Sequence, residues 1–157
     1  MLNDGDKAPG FSLLDDSGAT VELALLKGHP VVIYFYPKDD TPGCTTQAND
    51  FSCLIGRFEA AGATLIGISP DGPESHLKFK LKYDLSLTLA ADASHAAATA
   101  YGVWVEKSMY GRKYMGVERA TFLIDPRGRF AHSWRKVKVP GHAQEVLAAV
   151  ETLAHAP

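Results

Sequence analysis

The sequence predicts an α/β fold in which a mixed central sheet is flanked by helices. Three observations carry that expectation. Val31-Val32-Ile33-Tyr34-Phe35-Tyr36 is nearly all β-branched or aromatic with no polar alternation, the pattern of a strand covered on both faces. A helical pattern and a second buried run, Thr64 to Ser69, come next, so strand and helix alternate. Two late strands around the turn Asp125-Pro126-Arg127-Gly128 then read as a hairpin, and a closing amphipathic helix ends the chain. Crossover and hairpin connections in one chain imply a sheet of mixed direction.

Taken in order, Phe11 to Leu14 and Thr20 to Leu23 are short strands, with Asp15-Asp16-Ser17-Gly18 as the turn of an N-terminal β-hairpin. Leu25 to Gly28 reads as a brief turn or helical segment. Pro30 and Pro37 bracket the buried strand, where a missing ladder donor falls only at its ends. A helix is expected from Cys44 to Ala61, since Phe51, Leu54, Ile55 and Phe58 recur at three- and four-residue spacing and Gly62 follows. Pro73 with Glu74 suits the first turn of another helix, which carries Leu77 and Leu81. Leu87 to Ala90 is a strand and Ser94 to Tyr101 a short helix closed by Gly102. Polar residues from Glu106 to Gly116 read as a long loop, whose part Tyr110 to Met115 is a candidate screen for a pocket. Ala120 to Ile124 and Phe130 to Trp134 are strands, and Gln144 to Leu153 is a helix with Val146, Leu147, Val150 and Leu153 inward.

With 157 residues and no linker or repeat, one domain over residues 1–157 is expected. The near balance of 16 Lys+Arg and 18 Asp+Glu argues against nucleic acid as partner. No apolar run approaches the ~18 residues of a membrane span. The polar start Met1-Leu2-Asn3-Asp4-Gly5-Asp6 lacks the parts of a secretory signal, so a soluble, cytoplasmic protein is expected. Two cysteines are too few for a disulfide scaffold or a cysteine-only zinc site, and they suit a reducing compartment. His29, His76, His95, His132, His142 and His155 show no metal-ligand spacing and read as surface or partly satisfied histidines. The run Arg127, Arg129, Arg135, Lys136, Lys138 reads as a solvated hairpin face rather than a steering patch for an anionic partner. Trp104 and Trp134 read as core or pocket-rim aromatics.

Cys44 lies just past the end of a buried strand and at the start of a helix. Sites in open α/β sheets fall at such carboxyl ends. Free backbone N–H groups there favour a thiolate over a thiol, which makes the sulfur a nucleophile. Gly43 allows close backbone approach and Pro42 removes only a donor that would be unpaired. Thr41 sets a hydroxyl three residues ahead of the sulfur, able to accept from one group and donate to another. The competing reading is a buried, inert thiol.

The segment Tyr34-Phe35-Tyr36-Pro37-Lys38-Asp39-Asp40-Thr41-Pro42-Gly43-Cys44-Thr45 closely resembles the peroxidatic motif of peroxiredoxins, with Pro37, Thr41 and Cys44 meeting its Pro-x-x-x-Thr-x-x-Cys signature. The resemblance is to the bacterioferritin-comigratory (Q-type) subfamily. It continues in Gly67-Ile68-Ser69, in Tyr101-Gly102-Val103-Trp104 and in Arg119 to Asp125, across nearly the whole chain. It implies a thioredoxin-like fold and a thiol peroxidase that reduces hydrogen peroxide and organic hydroperoxides through a Cys44 sulfenic acid. Cys44 matches the peroxidatic cysteine, and Thr41 the threonine that hydrogen-bonds it and the peroxide. Pro37 matches the proline that shields the pocket, and Arg119 the arginine reaching in from a distant strand. No metal or organic cofactor is implied. The implied reductant is an external thiol such as thioredoxin, glutaredoxin or a small thiol, and the implied state a monomer, with a dimer as runner-up.

The sequence departs from many relatives in its second thiol. Asn49 stands five residues after Cys44, where a resolving cysteine is often found, and Leu77 to Tyr83 has none. Cys53 is nine residues on. That separation is about 900° around a helix and roughly 13 Å along it. A disulfide needs Cα atoms within about 7 Å. Cys53 also shares the polar side of the wheel with Thr46, Asn49, Asp50 and Arg57. A one-cysteine mechanism is therefore expected. The alternatives are a two-cysteine mechanism through Cys53, a thioredoxin-like dithiol reductase, which Gln47 in place of a second thiol disfavours, and a non-catalytic binding module.

Overall fold

The computed structural model describes residues 2–155; the single-domain reading also takes in residues 1, 156 and 157, which lie outside them. Seven strands form one sheet: β1 (Ser12–Asp15), β2 (Thr20–Glu22), β3 (Val31–Phe35), β4 (Thr64–Ser69), β5 (Thr88–Ala91), β8 (Ala120–Ile124) and β9 (Phe130–Trp134). Their order is β2-β1-β5-β4-β3-β8-β9. The crossovers make β3, β4 and β5 parallel; β8 comes back antiparallel to β3 after a long excursion, and the β8–β9 hairpin sets β9 antiparallel to β8. The N-terminal hairpin β1–β2 extends the other edge antiparallel to β5. A mixed sheet between helices, with an N-terminal hairpin, is the thioredoxin-like architecture expected above.

All five residues of β3 are buried, because it lies inside the sheet between β4 and β8 with helices over both faces. Its side chains alternate. Val32, Tyr34 and Tyr36 enter one core with Phe51, Phe58, Phe79, Leu89 and Val146. Val31, Ile33 and Phe35 enter the other with Ile66, Tyr101, Phe122 and Phe130. Helices α1 (Pro42–Cys53), α2 (Ile55–Ala60), α3 (Pro73–Tyr83) and α5 (His142–Ala154) cover the first core, and the short α4 (Ala96–Ala100) covers the second. Burying one such apolar side chain is worth about 1.5–3 kcal/mol, so these two layers dominate the fold's stability. No helix among the described residues is long and apolar enough to cross a membrane.

Three local readings differ from the structure. The helix expected from Cys44 to Ala61 begins at Pro42 and breaks at Leu54, whose N–H closes on the Phe51 carbonyl three residues back at 3.0 Å. Phe51 and Phe58 stay on one core face across the break, so the apolar spacing does not register it. On α3, Leu77 and Leu81 are exposed, and His76 and Phe79 face inward instead. The segment read as a loop is a β-hairpin of β6 (Trp104–Met109) and β7 (Arg112–Val117), a separate two-stranded sheet. Tyr110 and Gly111 turn it with φ of 52° and 78°, the primed geometry that matches strand twist. Both of its faces are largely exposed, so it lacks the apolar alternation by which strands are recognised.

Candidate active site

Backbone register assembles the site. Tyr36 follows the end of β3, and Pro37 to Thr41 loop over to the start of α1. Phe35 pairs with Ala120 in the antiparallel β3–β8 ladder. The residue just before β8, Arg119, is thereby carried to the carboxyl end of β3, where Cys44 stands.

Cys44 lies in the first turn of α1 and is 2% exposed. Arg119 donates from Nη2 to Cys44 Sγ at 3.4 Å and from Nη1 to Gln47 Oε1 at 2.5 Å. Gln47 is three residues from Cys44 on the same helix face and is itself buried. One guanidinium thus spans the sulfur and the amide that orients it, a use of the planar fork that an ammonium cannot copy. A Cβ at Gly43 would stand 3.3 Å from Arg119 Nη2, so the glycine leaves room for this approach. In the sequence Gln47 signals only the lack of a second thiol, although its spacing from Cys44 places it on the sulfur's side of the helix.

Thr41 is the N-cap of α1, with φ −98° and ψ 155°, and its carbonyl accepts the Thr45 N–H at 2.8 Å. Its hydroxyl donates to the Lys38 carbonyl at 2.9 Å and has no hydrogen bond to Cys44. Pro37 is half-buried at the entry to the loop. The structure therefore brings Cys44 and Arg119 into contact, with Thr41 and Pro37 in the adjoining loop.

Behind the sulfur the packing is polar but closed. Tyr34 is fully buried, and its hydroxyl has no partner. Burial pushes that phenol well above its ordinary range, with Cys44 and Asp39 adding to the effect against Arg119. Gly67 sits opposite Tyr34 in the β3–β4 register, and a Cβ there would fall 2.7 Å from the Tyr34 ring. The β6–β7 hairpin brings Lys107 toward the same place. Burial lowers its ammonium from the usual lysine range, and the Arg119 charge adds to this, against Cys44 and Glu118.

The histidine reading needs correction at two positions. His29, His132 and His155 are exposed as expected. His142, however, is buried, and its Nε2 lies 2.8 Å from the Thr121 hydroxyl. Burial holds it below the ordinary histidine range, against Glu145 and together with Arg119. His76 is fully buried beside Asp39 at 2.8 Å. Each is masked in the sequence because its polar partner is remote in the chain: Thr121 for one, Asp39 for the other. The basic residues 127, 129, 135, 136 and 138 are all exposed on the β8–β9 hairpin and its exit, as read. Among the described residues no group of three or more His, Cys, Asp or Glu is placed to hold a metal ion.

Residues 5–133 match the AhpC/TSA family. Peroxiredoxin Bcp of Bacillus subtilis is 48% identical over 150 residues, 96% of each chain. The structure of peroxiredoxin Q from Xanthomonas campestris is similar at a TM-score of 0.88 and 45% identity, over 92% of this chain and 91% of that one. A Cys-to-Ser mutant of PrxQ from Xylella fastidiosa matches at a TM-score of 0.93 and 37% identity, over 99% of both. Fold, cysteine and relatives agree: the chain belongs to the AhpC/TSA family, in its bacterioferritin-comigratory, Q-type branch of peroxiredoxins, and is a thiol peroxidase.

Proposed function

We propose that Cys44 reduces hydrogen peroxide and organic hydroperoxides and is recycled by an external thiol, without a second cysteine of its own chain. The observation that carries this reading is the Arg119 guanidinium held between Cys44 Sγ and Gln47 Oε1. The Cys44 thiolate attacks one peroxide oxygen in line with the O–O bond. That bond breaks, the S–O bond forms, and the departing oxygen leaves with the electron pair. A proton from solvent completes water or alcohol, and Cys44 becomes a sulfenic acid. Arg119 faces the sulfur with a fixed positive charge and stabilises negative charge as it moves to the leaving oxygen. Because the Thr41 proton is committed to the Lys38 carbonyl, its oxygen meets a peroxide as an acceptor for the O–H. Pro37, at the entry to the loop, shields and shapes the pocket.

One external thiol then displaces water from the sulfenic acid to form a mixed disulfide, and a second thiol releases Cys44 as the oxidised pair leaves. Thioredoxin, glutaredoxin or a small thiol satisfies this chemistry. Cys53 is exposed at the end of α1, while Ala48 and Phe51 pin the intervening turns into the core. Bringing the two sulfurs together requires uncoiling those turns. The related bacterioferritin comigratory protein of Xanthomonas campestris has alkyl peroxide reduction activity, which favours organic hydroperoxides among the substrates. The reading includes a cytoplasmic monomer that uses no metal or organic cofactor. Peroxide consumption with and without a reducing thiol tests it. Wild type should turn over only with thiol, Cys44→Ser should not turn over at all, and near-normal turnover in that variant would refute the assignment.

A further inference from the structure

His76, on α3, has no solvent exposure, and both of its ring nitrogens face acceptors. Nε2 lies 3.0 Å from the Ala90 carbonyl of β5, and Nδ1 lies 2.8 Å from Asp39 Oδ2. A carbonyl only accepts, so Nε2 carries a proton. Asp39 already accepts from two hydroxyls, Tyr36 at 2.6 Å and Ser75 at 2.8 Å. Burial first, then Tyr34 and Asp39, keep the Tyr36 phenol protonated and hence a donor. The 2.8 Å contact between Nδ1 and Asp39 Oδ2 is a hydrogen bond through one shared proton, and the same Nδ1 lies 3.3 Å from the Tyr36 hydroxyl. It joins two buried polar groups, so removing either would leave the other without its partner.

Asp39 belongs to the loop between β3 and Cys44, two residues before the N-cap Thr41. That loop is fastened at successive residues. The Asp39 N–H donates to Asp71 Oδ2 at 2.8 Å, and the Ser69 hydroxyl donates to the same oxygen at 2.7 Å. Asp40 has φ of 58°, an uncommon conformation for a residue with a side chain, and accepts from Lys82 Nζ at 2.7 Å and from the Tyr83 hydroxyl. Helix α3 thus grips the loop at Asp39 through Ser75 and His76, and at Asp40 through Lys82 and Tyr83. Of these contacts, only the hydrogen bond with His76 is wholly buried.

We propose that His76 is a positioning residue for the thiol chemistry: through its buried hydrogen bond to Asp39 it fixes the Pro37–Thr41 loop and so sets Thr41 and Cys44 against Arg119. This rests on the reading of Cys44 as the peroxide-reducing thiol. A displacement of one ångström in a reacting group costs on the order of a hundredfold in rate, so slack in this loop is felt at the sulfur.

Two substitutions separate positioning from bulk stability. In His76→Asn the amide nitrogen can stand where Nδ1 stood and keep a hydrogen bond to Asp39. In His76→Gln it reaches instead toward the Ala90 carbonyl, and Asp39 loses that partner. Two rates are read for each: Cys44 oxidation by hydrogen peroxide in stopped flow, and Cys44 alkylation by iodoacetamide across pH, with the thermal midpoint recorded alongside. His76→Gln is expected to react with peroxide at least about tenfold more slowly and to shift the alkylation pH profile; His76→Asn should stay within about threefold of wild type. The proposal is overturned if His76→Gln keeps the wild-type rate and profile, or if both variants slow in step with lost thermal stability while the profile stays in place. Should neither variant fold, Tyr36→Phe decides, because it removes one Asp39 hydrogen bond and loosens the same anchor while leaving His76 in place. A loss of about threefold or more supports the proposal, and an unchanged rate overturns it. The alkylation arm does not depend on peroxidase activity. If wild type shows no Cys44-dependent reaction with peroxide, the functional reading falls, and the alkylation profiles still decide the role of His76.

Discussion

Cys44 and Cys53 stand nine residues apart on α1, one in its first turn and the other at its last residue. Cys44 thus stands where a helix presents its free N–H groups, and Cys53 where a helix presents its carbonyls. Arg119 and Gln47 enclose Cys44. Cys53 is exposed, and its neighbour Ser52 is engaged with the Ser86 N–H of the segment after α3. Burial alone would mark Cys44 as the inert thiol and Cys53 as the available one. On the reading proposed above, the guanidinium, the helix start and the glycine beside them reverse that ranking, and reactivity follows from what is aimed at the sulfur rather than from how much water reaches it.

The contrast can be broken most severely at the sulfurs themselves. Cys44→Ser should reduce thiol-dependent peroxide turnover to the uncatalysed background, measured by peroxide consumption. Arg119→Met comes next. Removing a donor aimed at developing charge costs roughly 100- to 1000-fold, so its second-order rate with peroxide should fall in that range. Arg119→Lys restores charge without the fork and should recover part of the loss, remaining about tenfold below wild type. Gly43→Ala is gentler. Its new Cβ would sit 3.3 Å from Arg119 Nη2 and displace the guanidinium by a few tenths of an ångström, with a loss of about threefold in stopped flow. Cys53→Ser should be the mildest, with a wild-type rate in the same assay.

Which parts of this were readable from residues alone follows from where the partners lie. The central strand was legible because Val31 to Phe35 is apolar without interruption, and Cys44 because Thr41-Pro42-Gly43 announces a helix start. Arg119 was reached only through resemblance. By itself it is one charge before a strand, and the β3–β8 register that delivers it is a long-range property. The β6–β7 hairpin escaped because neither of its faces is buried, although Tyr110-Gly111 was a local turn signal. His76 reads as an ordinary polar residue on α3 until Asp39, 37 residues earlier, is seen against it. Leu77 and Leu81 draw attention to the wrong face of the same helix. Periodicity reports burial by apolar contact and has no means of reporting a buried hydrogen bond between distant residues.

The claim that Cys44 works without a second cysteine is tested most directly by intact mass spectrometry after one equivalent of peroxide, with and without a dimedone-type trap. The account predicts a single trapped adduct on Cys44, alike in wild type and in Cys53→Ser. A loss of two hydrogens with no adduct in wild type would reveal an internal Cys44–Cys53 disulfide, would require α1 to uncoil on oxidation, and would contradict it.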